Sequence, residues 1–130
     1  MILLDSHVVI WLAQDYRRIS AKARAKIEEE RKQDRGLAIS GITLVEIARL
    51  TIYGRINLFP NAETVLSEIE RRFLILPITA NIALQAFGLP SIYPKDPADR
   101  IIAATALGNE LTLITADAKI RASRAVPTIW

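Results

Sequence analysis

Ile2-Leu3-Leu4-Asp5-Ser6-His7-Val8 packs three kinds of local signal into seven residues: a short apolar run, an acid directly after it, and a serine placed to start a helix. Met1 to Leu12 is apolar enough to resemble a signal peptide. However, no basic residue precedes it, and Asp5 and His7 interrupt it, so it reads as a first strand followed by a first helix, with Ser6 as the cap. Similar apolar runs recur at Leu37–Ile39, Phe73–Leu76, Leu111–Ile114 and Val126–Ile129. They are short and do not alternate with polar residues, which suits strands buried on both faces.

Helical patterns fill the intervals. Ser20 is placed to cap a helix whose Ile19, Ala23 and Ile27 form an apolar stripe. Thr43–Leu50 reads as a second such helix. A third begins at Asn61 or Glu63 and runs to Arg72, a fourth covers Thr79–Phe87, and a fifth covers Ala98–Asn109. Gly88, Pro90 and Pro94 make the segment before the fifth a loop. Alternating strands and helices imply right-handed crossovers. The expected fold is therefore α/β, a three-layer α/β/α sandwich around a parallel sheet of four to five strands.

At 130 residues, the chain suits one domain over residues 1–130, burying about two thirds of its unfolded surface. The absence of cysteine excludes disulfides and thiolate zinc sites and suits a reducing compartment. No apolar run approaches the roughly 18 residues of a membrane span, so a soluble cytoplasmic protein without a membrane partner is expected.

Four separated acids, Asp5, Glu46, Asp99 and Asp117, each follow an apolar run or open a helical pattern. A parallel fold brings such positions to one edge of its sheet, where ligands bind. Each acid also has a structural reading. Asp5 can help cap the first helix. Thr43 and Glu46 have the spacing of a capping box. Asp96, Pro97 and Asp99 suit the cap, first and third positions of a helix, which favours Asp96 as the cap and Asp99 for chemistry. Asp117 could be an ordinary turn aspartate, with the Thr115 hydroxyl on the same loop. Capping alone does not require charge, since Ser, Thr or Asn would serve as well. Crowded carboxylates must take up protons or share a cation. Oxygen ligands of this kind fit Mg²⁺, with Mn²⁺ as a substitute, better than Zn²⁺.

The net charge of +3 is unevenly spread: Asp15–Arg35 holds eight basic residues against five acidic ones, and Lys119, Arg121 and Arg124 form a second patch. These patches favour a phosphate-rich partner. The alternative for the first is a solvated helix face laced with pairs such as Lys26 and Glu30. His7, the only histidine, reads as a residue orienting a neighbour rather than a general base, and Trp11 and Trp130 read as packing residues.

Four motifs in order, Leu4-Asp5-Ser6-His7-Val8, Ser40-Gly41-Ile42-Thr43-Leu44-Val45-Glu46-Ile47, Asp96-Pro97-Ala98-Asp99-Arg100-Ile101-Ile102-Ala103-Ala104 and Ile114-Thr115-Ala116-Asp117, resemble the PIN-domain family, in particular its VapC-type toxins. The resemblance spans essentially the whole chain. It implies a metal-dependent endoribonuclease that cleaves tRNA, rRNA or mRNA and inhibits translation. It also implies homodimers, and silencing by a small VapB-type antitoxin whose tail enters the active-site groove, forming a toxin–antitoxin hetero-oligomer. The family's acids fall on Asp5, Glu46, Asp99 and Asp117, and its hydroxyl residue on Thr115. Asp5, Asp99 and Asp117 are then the expected ligands of one or two Mg²⁺ ions, with Glu46 joining directly or through water. Asp96 and Ser6 are further candidates, and Arg100 is expected to help the basic patches position the RNA backbone. Two other classes compete. One is an RNA-binding translation inhibitor that does not cut. The other is an aspartyl-phosphate phosphoacceptor or phosphatase domain built on Asp5, disfavoured because His7 stands where a second acid would be needed.

Overall fold

The computed structural model describes all of residues 1–130. Its elements are β1 (Ile2–Leu4), α1 (Ser6–Gln14), a 3-10 turn (Tyr16–Arg18), α2 (Ala21–Lys32), β2 (Leu37–Ser40), α3 (Gly41–Ile52), α4 (Ala62–Arg72), β3 (Leu74–Leu76), α5 (Ala80–Phe87), α6 (Pro97–Gly108), β4 (Leu113–Ile114), α7 (Ala118–Ser123) and β5 (Thr128–Ile129). Every strand pairing is parallel, in the order β3-β2-β1-β4-β5. Helices cover both faces, as expected of a three-layer α/β/α sandwich with five strands. No helix is long and apolar enough to cross a membrane.

The pleat divides the core between the two faces. Ile2 and Leu4 of β1, with Leu37 and Ile39 of β2, face one layer and pack with Ile10, Ile27, Ile47 and Ile69 from α1 to α4. Leu3 and Ala38 face the other layer with Tyr93, Ile102, Ala103 and Ile120. The small side chains Ala103 and Ala106 are fully buried, which lets α6 lie close to the sheet.

Several boundaries differ from the sequence expectation for identifiable reasons. Asp5, not Ser6, caps α1: its Oδ1 accepts from the Ser6 amide at 2.7 Å. Helix α3 starts at Gly41, because Ser40 ends β2 in extended backbone and its Oγ accepts from the Ile42 amide at 3.4 Å. The expected capping box of Thr43 and Glu46 therefore does not exist. Strand β3 is an edge strand rather than one buried on both faces, and Leu74 is 48% exposed. Strand β4 begins only at Leu113, since the Leu111 amide is held by Ala106 O at 2.8 Å in the turn leaving α6. Strand β5 begins after Pro127, which has no N–H to give a ladder. Asp117 starts a short helix, α7, where an ordinary turn was the alternative. Asn61, Thr79, Ser20 and Asp96 cap their helices as their sequence positions suggest.

Candidate active site

The Asp5 amide donates to Ile114 O at 3.0 Å, which fixes Asp5 where β1 and β4 end side by side. Its second carboxylate oxygen accepts from the Thr115 hydroxyl at 2.7 Å. That hydroxyl in turn accepts from the Asp117 amide at 3.1 Å. Asp117 then turns one oxygen to the amides of Lys119 and Ile120, at 2.8 and 3.0 Å, and keeps the other free of protein partners. The path from Asp5 through Thr115 to Asp117 is thus one hydrogen-bonded chain, in which Thr115 orients the Asp5 carboxylate and anchors the Asp117 backbone.

Glu46 projects from the second turn of α3 and its Oε1 accepts from the Ser6 hydroxyl at 2.7 Å. Ser6 also lies 3.3 Å from Thr43 Oγ1, and both hydroxyl residues are buried. The three-residue step from Thr43 to Glu46, read in the sequence as a cap, instead puts both residues on the α3 face turned toward α1. Asp99 stands on the first turn of α6, and its carboxylate has no protein hydrogen bond. Asp96 caps that helix, accepting from Ala98 and Asp99 amides at 2.9 and 3.3 Å, as expected.

The acids repel one another. Burial, followed by the charges of Asp5, Asp96, Glu46 and Asp117, pushes the Asp99 carboxyl up to about 7. Glu46 is also raised, first by burial and then by Asp5 and Asp96, while its bond from Ser6 opposes the rise. Burial raises Asp5, against hydrogen bonds from Thr115 and Ser6 and the nearby His7. The fold therefore brings Asp5, Glu46, Asp99 and Asp117 within electrostatic reach of one another at one sheet edge. No three of them converge tightly enough to enclose a bare ion. A divalent ion fits this all-oxygen, mutually repelling set if it keeps part of its water shell, which is the normal habit of Mg²⁺.

Arg100 does not serve as expected. Its side chain is buried, and its guanidinium donates to Ala86 O, Leu89 O and Tyr93 O at 3.3, 3.5 and 3.1 Å. Ala86 lies in the last turn of α5, whose carbonyl end favours a cation. Arg100 thus fastens the loop between α5 and α6 rather than reaching toward an RNA backbone. Tyr93, fully buried, fastens the same loop to the site by donating to Asp99 O at 3.2 Å. Tyr93, a lone aromatic between prolines, carries no sequence signal of this role, and the position of Thr43 suggests a cap rather than a partner of Ser6.

The two basic patches behave differently. In the first, Lys26, Arg31 and Arg35 are paired with Glu28, Glu29 and Glu30 and Arg17 with Asp15, as the solvated-face alternative anticipates, whereas Arg18, Lys22, Arg24 and Lys32 form no ion pair. In the second, Lys119, Arg121 and Arg124 are exposed on and just after α7, close behind Asp117, and form no ion pair. The phosphoacceptor alternative loses ground here, because both oxygens of Asp5 are already hydrogen-bonded and buried.

A family model described as PIN domain matches residues 2–125. Ribonuclease VapC22 of Mycobacterium tuberculosis is 35% identical over 131 residues, spanning 99% of this chain and 98% of the relative. The structure of VapBC2 from Rickettsia felis bound to a promoter DNA fragment superposes with a TM-score of 0.74 at 18% identity, covering 99% of this chain and 98% of the other. A toxin–antitoxin complex from Klebsiella pneumoniae gives 0.68 at 25% identity, covering 100% and 97%. With its parallel sheet and its acids gathered at one edge, the chain belongs to the PIN-domain family.

Proposed function

We propose that this chain, acting as a single domain, is a divalent-metal-dependent endoribonuclease and the toxin of a toxin–antitoxin pair. The observation that carries the reading is the set of mutually repelling carboxylates, with Asp99 raised to about 7, gathered beside the unpaired cations of α7. Asp5, Asp99 and Asp117 would hold Mg²⁺, or Mn²⁺ in its place, and Glu46 would complete the set directly or through water. The ion, when bound, supplies a Lewis acid that activates water and offsets charge on the phosphodiester.

The chain's own residues prepare the site. Thr115 fixes the rotamer of Asp5, and Ser6 fixes that of Glu46. Tyr93 and Arg100 hold the loop that leads into Asp99. Lys119, Arg121 and Arg124 provide sequence-independent attraction for an RNA backbone. RNA of the translation apparatus (tRNA, rRNA or mRNA) is the proposed target class, and its cleavage would inhibit translation in the cytoplasm.

VapC-type relatives and the toxin–antitoxin complexes with this fold support a small antitoxin protein as partner. A second copy of the chain is also part of the reading. Its support is the outer face of α5, where Leu84 and Phe87 are 77% and 67% exposed.

The test is cleavage of RNA in Mg²⁺ by the wild-type chain and by Asp5→Asn, each checked for folding. Cleavage by the wild type that is lost in the variant is expected. Undiminished cleavage by Asp5→Asn would sink the assignment, and RNA binding without cleavage by either protein would favour the non-cutting inhibitor.

A further inference from the structure

Trp11 and Trp130, the only tryptophans in the chain, lie against each other with ring centroids 5.9 Å apart. His7 continues the row, its ring 6.0 Å from that of Trp11. Arg18 lays its guanidinium 4.5 Å from the Trp11 centroid. The row adjoins the acids at both ends. His7 is two residues beyond Asp5 on the first turn of α1. Trp130 directly follows Ile129, whose carbonyl accepts from the amide of Thr115 at 3.4 Å, and Thr115 is the residue that holds Asp5.

Packing accounts for only part of this arrangement. The tryptophans contact the core around α1 and are half-buried, but His7 and Arg18 are exposed. Neither has an acidic partner within ion-pair distance, although Arg17 beside Arg18 does. A planar cation backed by an indole, with an open imidazole one helical turn away, has two properties that an unpaired nucleobase requires: a flat polarizable surface and positive charge. Duplex RNA keeps its bases stacked internally and could not use this surface.

We infer that His7, Trp11, Arg18 and Trp130 form a stacking platform for an unpaired base of the RNA strand next to the phosphodiester held at the acids. This inference rests on the ribonuclease reading and adds to it the residues that hold an unpaired base beside the cut. The indoles stiffen the platform, and Arg18 and His7 present its outer surface.

The two tryptophans make the test direct, because all tryptophan fluorescence comes from the platform. The full-length chain is titrated in Mg²⁺ with a short, cleavage-resistant phosphorothioate single-stranded RNA carrying a dye, so that anisotropy reports binding and tryptophan emission reports the platform. Binding with quenching is expected. Arg18→Ala and His7→Ala are each expected to weaken binding about five- to 150-fold, the usual worth of one stacked base. Both side chains are exposed, so the melting temperature should not move. Arg18→Lys keeps the charge and loses the plane, and should bind nearly as weakly as Arg18→Ala.

Binding with unchanged tryptophan emission would overturn the platform, as would wild-type affinity in Arg18→Lys, equal affinity for duplex, or no binding at all. Cleavage of unmodified RNA by the same preparation is scored separately. Quenching without cleavage would leave the platform standing and remove the nuclease reading, whereas cleavage without quenching would do the reverse.

Discussion

Asp99 stands where burial and the neighbouring acids both oppose its ionisation. Its carboxyl is raised to about 7 by burial and by the acids around it, above the ordinary value of 3.8. A raised folded-state pKa means that the folded chain binds the proton more tightly than the unfolded chain. The resulting loss of stability is absent below about pH 4, grows as the pH rises toward 7, and is constant above that. Asp99→Asn should therefore raise the melting temperature of metal-free protein at pH 8 by about 2–5 °C, corresponding to about 1 kcal/mol after allowance for solvent screening, and leave it unchanged at pH 4. Differential scanning fluorimetry at the two pH values reads this directly. Mg²⁺ should raise the melting temperature of the wild type at pH 8 more than that of the variant, and RNA cleavage should be lost with the carboxylate. Thr115 gives a second prediction at this scale. Thr115→Val keeps the shape but leaves Asp5 Oδ2 and the Asp117 amide without their shared hydroxyl. A cost of about 1–3 kcal/mol in stability is expected from the lost buried partner. Weaker Mg²⁺ binding by calorimetry should accompany it, with Thr115→Ser close to wild type; equal Mg²⁺ affinity in Thr115→Val would remove its orienting role.

At the scale of elements, the sequence carried the strands well and the start of α3 poorly. Ile2–Leu4 and Leu37–Ile39 are legible in the sequence because a strand buried on both faces must be apolar throughout, and that constraint leaves a continuous run; the polar Ser40 that ends β2 is not. Asp96 caps α6 as its sequence position suggests, because proline fixes where that helix begins. The capping-box reading of Thr43 and Glu46 fails because Ser40 and Thr43 both have the chemistry of a cap, and local sequence does not say which one leaves the strand. The distinction came from β2: Ser40 pairs with Leu76 of β3 and so is still extended where α3 starts. The phosphate-contact expectation for Arg100 fails for a related reason. A basic residue beside an acidic motif resembles a phosphate contact, and only the return of the loop over α6 supplies the three carbonyls that bury it. Arg100→Leu should consequently destabilise the fold by about 2–3 kcal/mol in urea, since buried carbonyls lose charged donors. It should also open Gly88–Lys95 to limited proteolysis. An unchanged digestion pattern in that segment, with lower RNA affinity alone, would return Arg100 to the role first expected of it.

Across the whole molecule, one exposed apolar stripe lies on α5, a helix that carries none of the four acids, and it bears on assembly. Helix α5 buries Ile82 and Ala86 against α6, yet its outward positions Ala80, Ala83, Leu84 and Phe87 are also apolar and exposed, at the spacing of one helical stripe. Ile92, in the loop that follows, is 68% exposed. Isolated apolar residues on a surface need no explanation, but a stripe that includes a phenylalanine and a leucine marks an interaction face. The same stripe on a second copy would be self-complementary about a two-fold axis, with no charge to bury. Phe87→Glu would place two carboxylates in such an interface while adding nothing costly to a free monomer. Light scattering coupled to size exclusion should therefore give twice the chain mass for the wild type and a single chain mass for the variant, with the same circular dichroism melt. A wild-type monomer, or a variant that stays dimeric, would show that α5 is not where copies meet. A variant that melts early would instead mean that Phe87 supports the α5–α6 pair, and the milder Leu84→Lys, farther from that pair at 77% exposure, would then decide the matter.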